Sequence, residues 1–147
     1  MNNPEKTIAI GSDHAGFSLK SILVEYLRKN HFEVFDVGPA SEDRVDYPDF
    51  AHPVASAIES GKAHFGVLLC GSGNGIAMTA NKHSGIRAAV CWNREIAALA
   101  RQHNDANILA IPARYVTENE ALEMLDVFIG TSFEGGRHTQ RVQKIPL

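Results

Sequence analysis

The chain is poor in cysteine, with only Cys70 and Cys91, so no disulfide framework can staple it. Free thiols in that number fit a reducing compartment. No apolar run approaches the roughly 20 residues a membrane-spanning helix needs. The polar start, Met1 to Lys6, offers no basic region leading into an apolar one, so a soluble, cytoplasmic protein is expected. Excess positive charge is missing as well. A net charge of −3 argues against nucleic acid or an anionic membrane as the main partner. It leaves room for a phosphate-bearing small molecule, which needs only a few local cations. The usual metal spacings, HExxH and CxxC, are absent, and no carboxylate–histidine cluster stands out along the chain. No linker, internal repeat or low-complexity segment divides it, so residues 1–147 read as one domain, large enough for its own core.

What is present alternates. Apolar runs at Thr7–Ile10, Glu33–Val37, Phe65–Cys70, Ile86–Val90 and Asn107–Ile111 read as strands. Between them lie helical patterns: Phe17–Lys29 with Asn30 as its cap, Tyr47 to about Ser60, a helix after Gly75, and Arg94 to about Gln102. Thr117 and Glu120 form a capping box that opens a helix to about Ile129, and a short helix follows from Glu134 to about Val142. The expected fold is α/β, a Rossmann-like three-layer sandwich around a parallel sheet of about five strands. In such sheets the ligand sits beyond the carboxyl ends of the strands. The segments assigned to those ends are Gly11–His14, Cys70–Gly75 and, after a further helix, His103–Asp105.

The glycine-rich turns invite a nucleotide reading, which fails on detail. Gly11 to Ser18 has P-loop spacing, yet Phe17 stands where the phosphate-binding lysine must be. Gly71, Gly73 and Gly75 give GxGxG, and the turn does not follow the first strand. The loop does offer a row of backbone N–H groups that can cradle an anion. Cys70, immediately before it, is placed to work as a thiolate, either as nucleophile or as proton acceptor. Cys91 reads as a buried structural thiol. Asp13 and His14 either meet a ligand or cap the next helix. His103, Asn104 and Asp105 either act or close a helix. Arg137 and Arg141, four apart, share a helix face and suit a phosphate, or else form a solvated basic surface. His31, His52, His64 and His83 have no partner in view and read as solvated surface.

The assembled pattern resembles the B-type ribose-5-phosphate isomerase family, which includes the galactose-6-phosphate isomerase subunits. The matching segments are Gly-Ser-Asp-His-Ala-Gly at 11–16, Asp-Tyr-Pro at 46–48 and Cys-Gly-Ser-Gly-Asn-Gly at 70–75. Ala-Asn-Lys at 80–82, Gly-Ile-Arg at 85–87, Arg-Gln-His-Asn-Asp at 101–105, Glu-Gly-Gly-Arg-His at 134–138 and Arg141 follow in family order. The resemblance implies aldose–ketose isomerisation between ribose 5-phosphate and ribulose 5-phosphate through a cis-enediolate. It implies Cys70 as the base, with Ser72 and the N–H groups of Gly71, Gly73, Asn74 and Gly75 stabilising the oxyanion. His103, with Asp13 nearby, opens the furanose ring. Tyr47 and Asn104 contact sugar hydroxyls. His14, Arg137 and Arg141 hold the phosphate, with Arg114 assisting.

It further implies no metal or cofactor, and a homodimer or homotetramer whose sites are shared between subunits. Ser72 replaces the threonine of many members and keeps the hydroxyl. One branch with this loop uses a glutamate base where this chain has Ile76, which leaves the base to Cys70. The competing readings are allose- or galactose-6-phosphate as substrate, a hydrolase or phosphatase using Cys70 as nucleophile, and a non-catalytic sugar-phosphate-binding module.

Overall fold

The computed structural model describes residues 4–147, and all of its paired strands run parallel. In chain order come β1 (Thr7–Ser12), α1 (Phe17–Lys29), β2 (Glu33–Gly38), α2 (Pro48–Glu59), β3 (Phe65–Cys70) and α3 (Asn74–Ala80). They are followed by β4 (Ala88–Val90), α4 (Arg94–Asn104), β5 (Ile108–Pro112), α5 (Glu118–Gly130) and α6 (Arg137–Gln143). A 3₁₀ turn, His14–Gly16, links β1 to α1. The sheet order is β2-β1-β3-β5-β4. From β1 the chain steps outward to β2, then returns to β3 on the other side of β1, so the topological switch point lies between β1 and β3.

Period-two alternation divides the core in two. From β3, Phe65, Val67 and Leu69 face one apolar cluster with Leu23 and Leu27 of α1, Ala97 and Ala100 of α4, and Met124, Leu125 and Phe128 of α5. Leu68 and Cys70 face the other, with Val54 and Ala55 of α2 and Ile76 and Ala80 of α3. The expected parallel sheet with helices on both faces is the observed one. Both faces of β1, β3 and β5 are buried along their whole length, which explains their uninterrupted apolar runs.

Several boundaries shift by a residue or two from the sequence reading, and three of the differences have a clear local reason. β4 begins at Ala88, because the Ile86 N–H bonds back to His83 in a turn and the Arg87 N–H is taken by the Asn107 side chain. α4 runs on to Asn104 and ends where Asp105 turns left-handed at φ 48°. α6 begins only at Arg137, since Gly135 and Gly136 hold φ values of 68° and 55° that interrupt a right-handed helix. The Thr117–Glu120 capping box opens α5 with both reciprocal bonds made. No helix among the described residues is long and apolar enough to cross a membrane.

Candidate active site

Three strand exits are tied together around Cys70. The Asp13 N–H donates to the Leu69 carbonyl at 3.1 Å, the Ala113 N–H to the Cys70 carbonyl at 2.9 Å, and the Arg114 N–H to the Gly71 carbonyl at 3.1 Å. β1, β3 and β5 therefore present their carboxyl ends as one rigid rim. Asp13 is buried, and its carboxylate accepts from the Gly16 N–H at 3.1 Å, so it caps the 3₁₀ turn. His14 sits on that turn with Nδ1 3.3 Å from the Val45 backbone, which leaves Nε2 unengaged.

The glycine loop is shaped by what leans on it. A Cβ on Gly75 would lie 2.5 Å from the Tyr47 ring and 2.8 Å from its hydroxyl oxygen, so only glycine admits Tyr47 there. A Cβ on Gly71 would lie 3.2 Å from the Arg114 guanidinium. Gly73, at φ 77°, reverses the chain into α3. The Ser72 hydroxyl accepts from the Asn74 N–H at 3.3 Å and is exposed, as is the Asn74 side chain. Asp13, His14, Tyr47, Cys70, the 71–75 loop and Arg114 thus share one rim. Cys70 is only 5% exposed, so little of it meets solvent beside that loop.

His103 and Asn104 are elsewhere. α4 starts beyond the carboxyl end of β4 and runs back antiparallel to the strands, about 16 Å over 11 residues. Its last turn lies beside the amino ends of β4 and β5, where Arg87 Nε donates to the Asp105 carbonyl at 2.8 Å. This corrects the placement of His103–Asp105 among the carboxyl ends. Within one chain these residues and Asp13 occupy opposite ends of the sheet. His103 and Asn104 share a hollow of about 350 Å³ with His138, Arg141, Val142 and Ile145. Arg137 and Arg141 are exposed on the first and second turns of α6.

Sequence reasoning gave no role to Glu134 or His138. The loop before α6 is pinned to α4 by the Glu134 N–H on the Gln102 carbonyl at 3.1 Å and by Arg101 Nε on the Thr131 carbonyl at 3.1 Å. This brings the His138 ring onto His103, with centroids 4.3 Å apart and planes 13° from parallel. Glu134 Oε2 lies 3.8 Å from His138 Nε2. Ligand atoms of His103, Glu134 and His138 all fall within 4.8 Å of one another. A carboxylate–histidine cluster, absent from the linear spacing, therefore exists in space. Burial, then the charges of His103, Arg137 and Arg141, hold the His138 imidazole below the ordinary histidine range, against a smaller opposing pull from Glu134.

One other reading changes and one holds. His83 and His52 are not isolated: His83 Nδ1 lies 2.9 Å from Glu59 and its Nε2 lies 2.7 Å from His52, while His64 packs on Phe65. Cys91 is fully buried, and burial pushes its thiol up to about 12, as a structural cysteine should behave.

A family model described as ribose/galactose isomerase matches residues 8–145. Ribose-5-phosphate isomerase B of Escherichia coli K12 is 47% identical over 140 residues, covering 95% of this chain and 94% of the relative. A crystal structure of a ribose 5-phosphate isomerase from Thermotoga maritima superposes with a TM-score of 0.94 at 48% identity, covering 95% of this chain and 97% of that one. The Mycoplasma genitalium ribose-5-phosphate isomerase B, solved with bound ribulose-5-phosphate, gives 0.90 at 44% identity, over 95% and 93% of the two chains.

Proposed function

We propose that this chain, which belongs to the ribose/galactose isomerase family, interconverts ribose 5-phosphate and ribulose 5-phosphate. The observation that carries the reading is the rim around Cys70: a thiol at the switch point of a parallel sheet, followed at once by a loop of backbone N–H groups. Isomerisation needs one base between C1 and C2 of the sugar. Cys70 takes the C2 proton of the open-chain aldose and returns it to C1. The carbonyl oxygen gathers negative charge as the cis-enediolate forms. The Ser72 hydroxyl and the N–H groups of the 71–75 loop meet that charge, at fixed positions that need no reorganisation.

The furanose must open first. His103 supplies the proton to the ring oxygen. Tyr47 and Asn104 meet sugar hydroxyls, while Arg137 and Arg141 hold the phosphate with His14 and Arg114. Since His103 and Cys70 lie at opposite ends of one sheet, a working site takes one set from each of two copies of the chain. That separation supports reading the protein as a homodimer or homotetramer with shared sites.

Purified protein should convert ribose 5-phosphate to ribulose 5-phosphate, followed by ketose absorbance or by loss of the aldose. Allose 6-phosphate and galactose 6-phosphate run alongside, because one extra hydroxymethyl group is a small steric difference. Turnover only with a six-carbon substrate would move the chain to another member activity of the family. Binding without turnover of any of them would make it a sugar-phosphate-binding module.

A further inference from the structure

We propose that His103, Glu134 and His138 form a site for a borderline divalent transition-metal ion of the Zn²⁺ class, and that its occupation silences the enzyme by claiming His103. Two imidazoles and one carboxylate are the donor set such ions favour over Mg²⁺ or Ca²⁺, which prefer oxygen alone. The three ligand atoms already lie within 4.8 Å of one another. Bond lengths of about 2.0–2.2 Å place ligand atoms roughly 3–4 Å apart around a tetrahedral ion, so closure takes side-chain adjustment only.

The scaffold under the cluster is fixed. Gly135 and Gly136 turn the loop through left-handed backbone and set Glu134 and His138 on the same side. The Glu134 backbone N–H and the Arg101 side chain fasten that loop to the last turns of α4, which carry His103. His138 is buried and its ring is already stacked on that of His103. In that stack the in-plane lone pairs of the two rings run side by side, so one ring has to tilt for both to meet an ion. Arg137 and Arg141 flank the cluster and oppose a dication, while Glu134 supplies the compensating charge. Three protein ligands leave a fourth position open for water or for an oxygen of a bound phosphate. With a ring nitrogen of His103 coordinated, that lone pair can no longer exchange a proton with the sugar ring oxygen. This second half rests on the ring-opening role proposed above; the binding half does not.

Calorimetry with Zn²⁺ alone, on the full-length protein in a non-chelating buffer, tests the site. Wild-type protein should take up one ion per chain. Glu134→Gln should weaken uptake about tenfold or more, because losing a ligand costs at least what losing a supporting partner does. His138→Asn should do the same. Glu134 is exposed, so its variant keeps the test sound if the buried His138 change harms folding. Cys70→Ser should bind as wild type does. Equal affinity in wild type and Glu134→Gln overturns the site, as does uptake lost only in Cys70→Ser or in His83→Asn. In the ribose 5-phosphate assay, Zn²⁺ should inhibit wild type, a chelator should restore it, and Glu134→Gln should resist. Binding at the cluster without inhibition overturns the silencing role. Binding by a protein that turns over none of the sugar phosphates leaves the site standing and removes the isomerase reading instead.

Discussion

Cys70 and Cys91 are both buried thiols, and position alone separates them. Cys91 sits in the apolar cluster against α1, α4 and α5, with burial pushing its thiol up to about 12. Cys70 sits at the switch point with a loop of N–H donors directly after it. Cys70→Ala should lower turnover roughly 10²–10⁴-fold while leaving KM little changed, since a general base acts in the transition state. Cys91→Ala should leave kcat near wild type and cost stability only. Near wild-type turnover in Cys70→Ala, measured with ribose 5-phosphate, places the base elsewhere. The distinction was legible in the sequence, because a glycine loop directly follows one cysteine and not the other. The Glu134–His138–His103 grouping was not. Its members are brought together by left-handed glycines and by hydrogen bonds to α4, neither of which leaves a periodic mark.

Among the elements, the parallel strands announced themselves because burial on both faces demands continuous apolar runs, as in Phe65–Cys70. Their helices followed from apolar stripes and from caps such as Thr117. What stayed hidden were clips between elements. Glu59, at the end of α2, accepts from the Gly85 N–H and faces His83, and so fastens α2 to the turn after α3. The hydrogen bond with His83, then that from Gly85, holds the Glu59 carboxyl below the usual carboxylate range. A carboxylate with a lowered folded-state value stabilises the fold above its ordinary range, and loses that contribution as pH falls through the folded value. Urea unfolding should accordingly show Glu59→Ala less stable than wild type at neutral pH. The gap should narrow on acidification and close once the pH lies below the lowered folded-state value, where the carboxylate is protonated in both states. A gap constant with pH removes the ionised clip as its cause.

α6 is an element of the same kind, short and exposed, whose worth is in what it presents. Arg137 and Arg141 lie one turn apart with no ion-pair partner among the described residues. A substrate phosphate carries nearly two negative charges, and the protein is itself net acidic, so attraction has to be local. Each charge-assisted bond contributes about 1.5–3 kcal/mol, a tenfold to hundredfold change in affinity. Arg137→Lys should already weaken ribose 5-phosphate binding, because a point charge cannot reproduce the guanidinium fork. Unphosphorylated ribose should be indifferent to the change. Equal losses for both sugars make α6 structural.

For the whole molecule, the direction of α4 decides the argument. The sequence shows that His103 follows a helix but not which end of the sheet that helix returns to. Parallel topology settles it: a helix between two parallel strands starts at their carboxyl edge and ends at their amino edge. His103 and Cys70 thereby lie at opposite edges of the sheet, so the proposed site does not draw both from one chain. Two copies packed so that the amino edge of one meets the carboxyl edge of the other solve this, and twofold symmetry would then build two equivalent sites. The expectation is sharp. Cys70→Ala and His103→Ala chains should each be nearly inactive alone. Mixed and allowed to exchange subunits, they should regain activity, because a hybrid pair holds one site with both residues intact and one with neither. If random exchange goes to completion in a dimer mixed in equal parts, about half of the pairs are hybrids, so recovery should approach one quarter of the wild-type rate per chain. Exchange must be verified independently, for instance by mass spectrometry of differently tagged chains. Verified hybrids without recovered turnover mean that each chain completes its own site, and the proposed pairing of His103 with a partner's Cys70 would then be wrong.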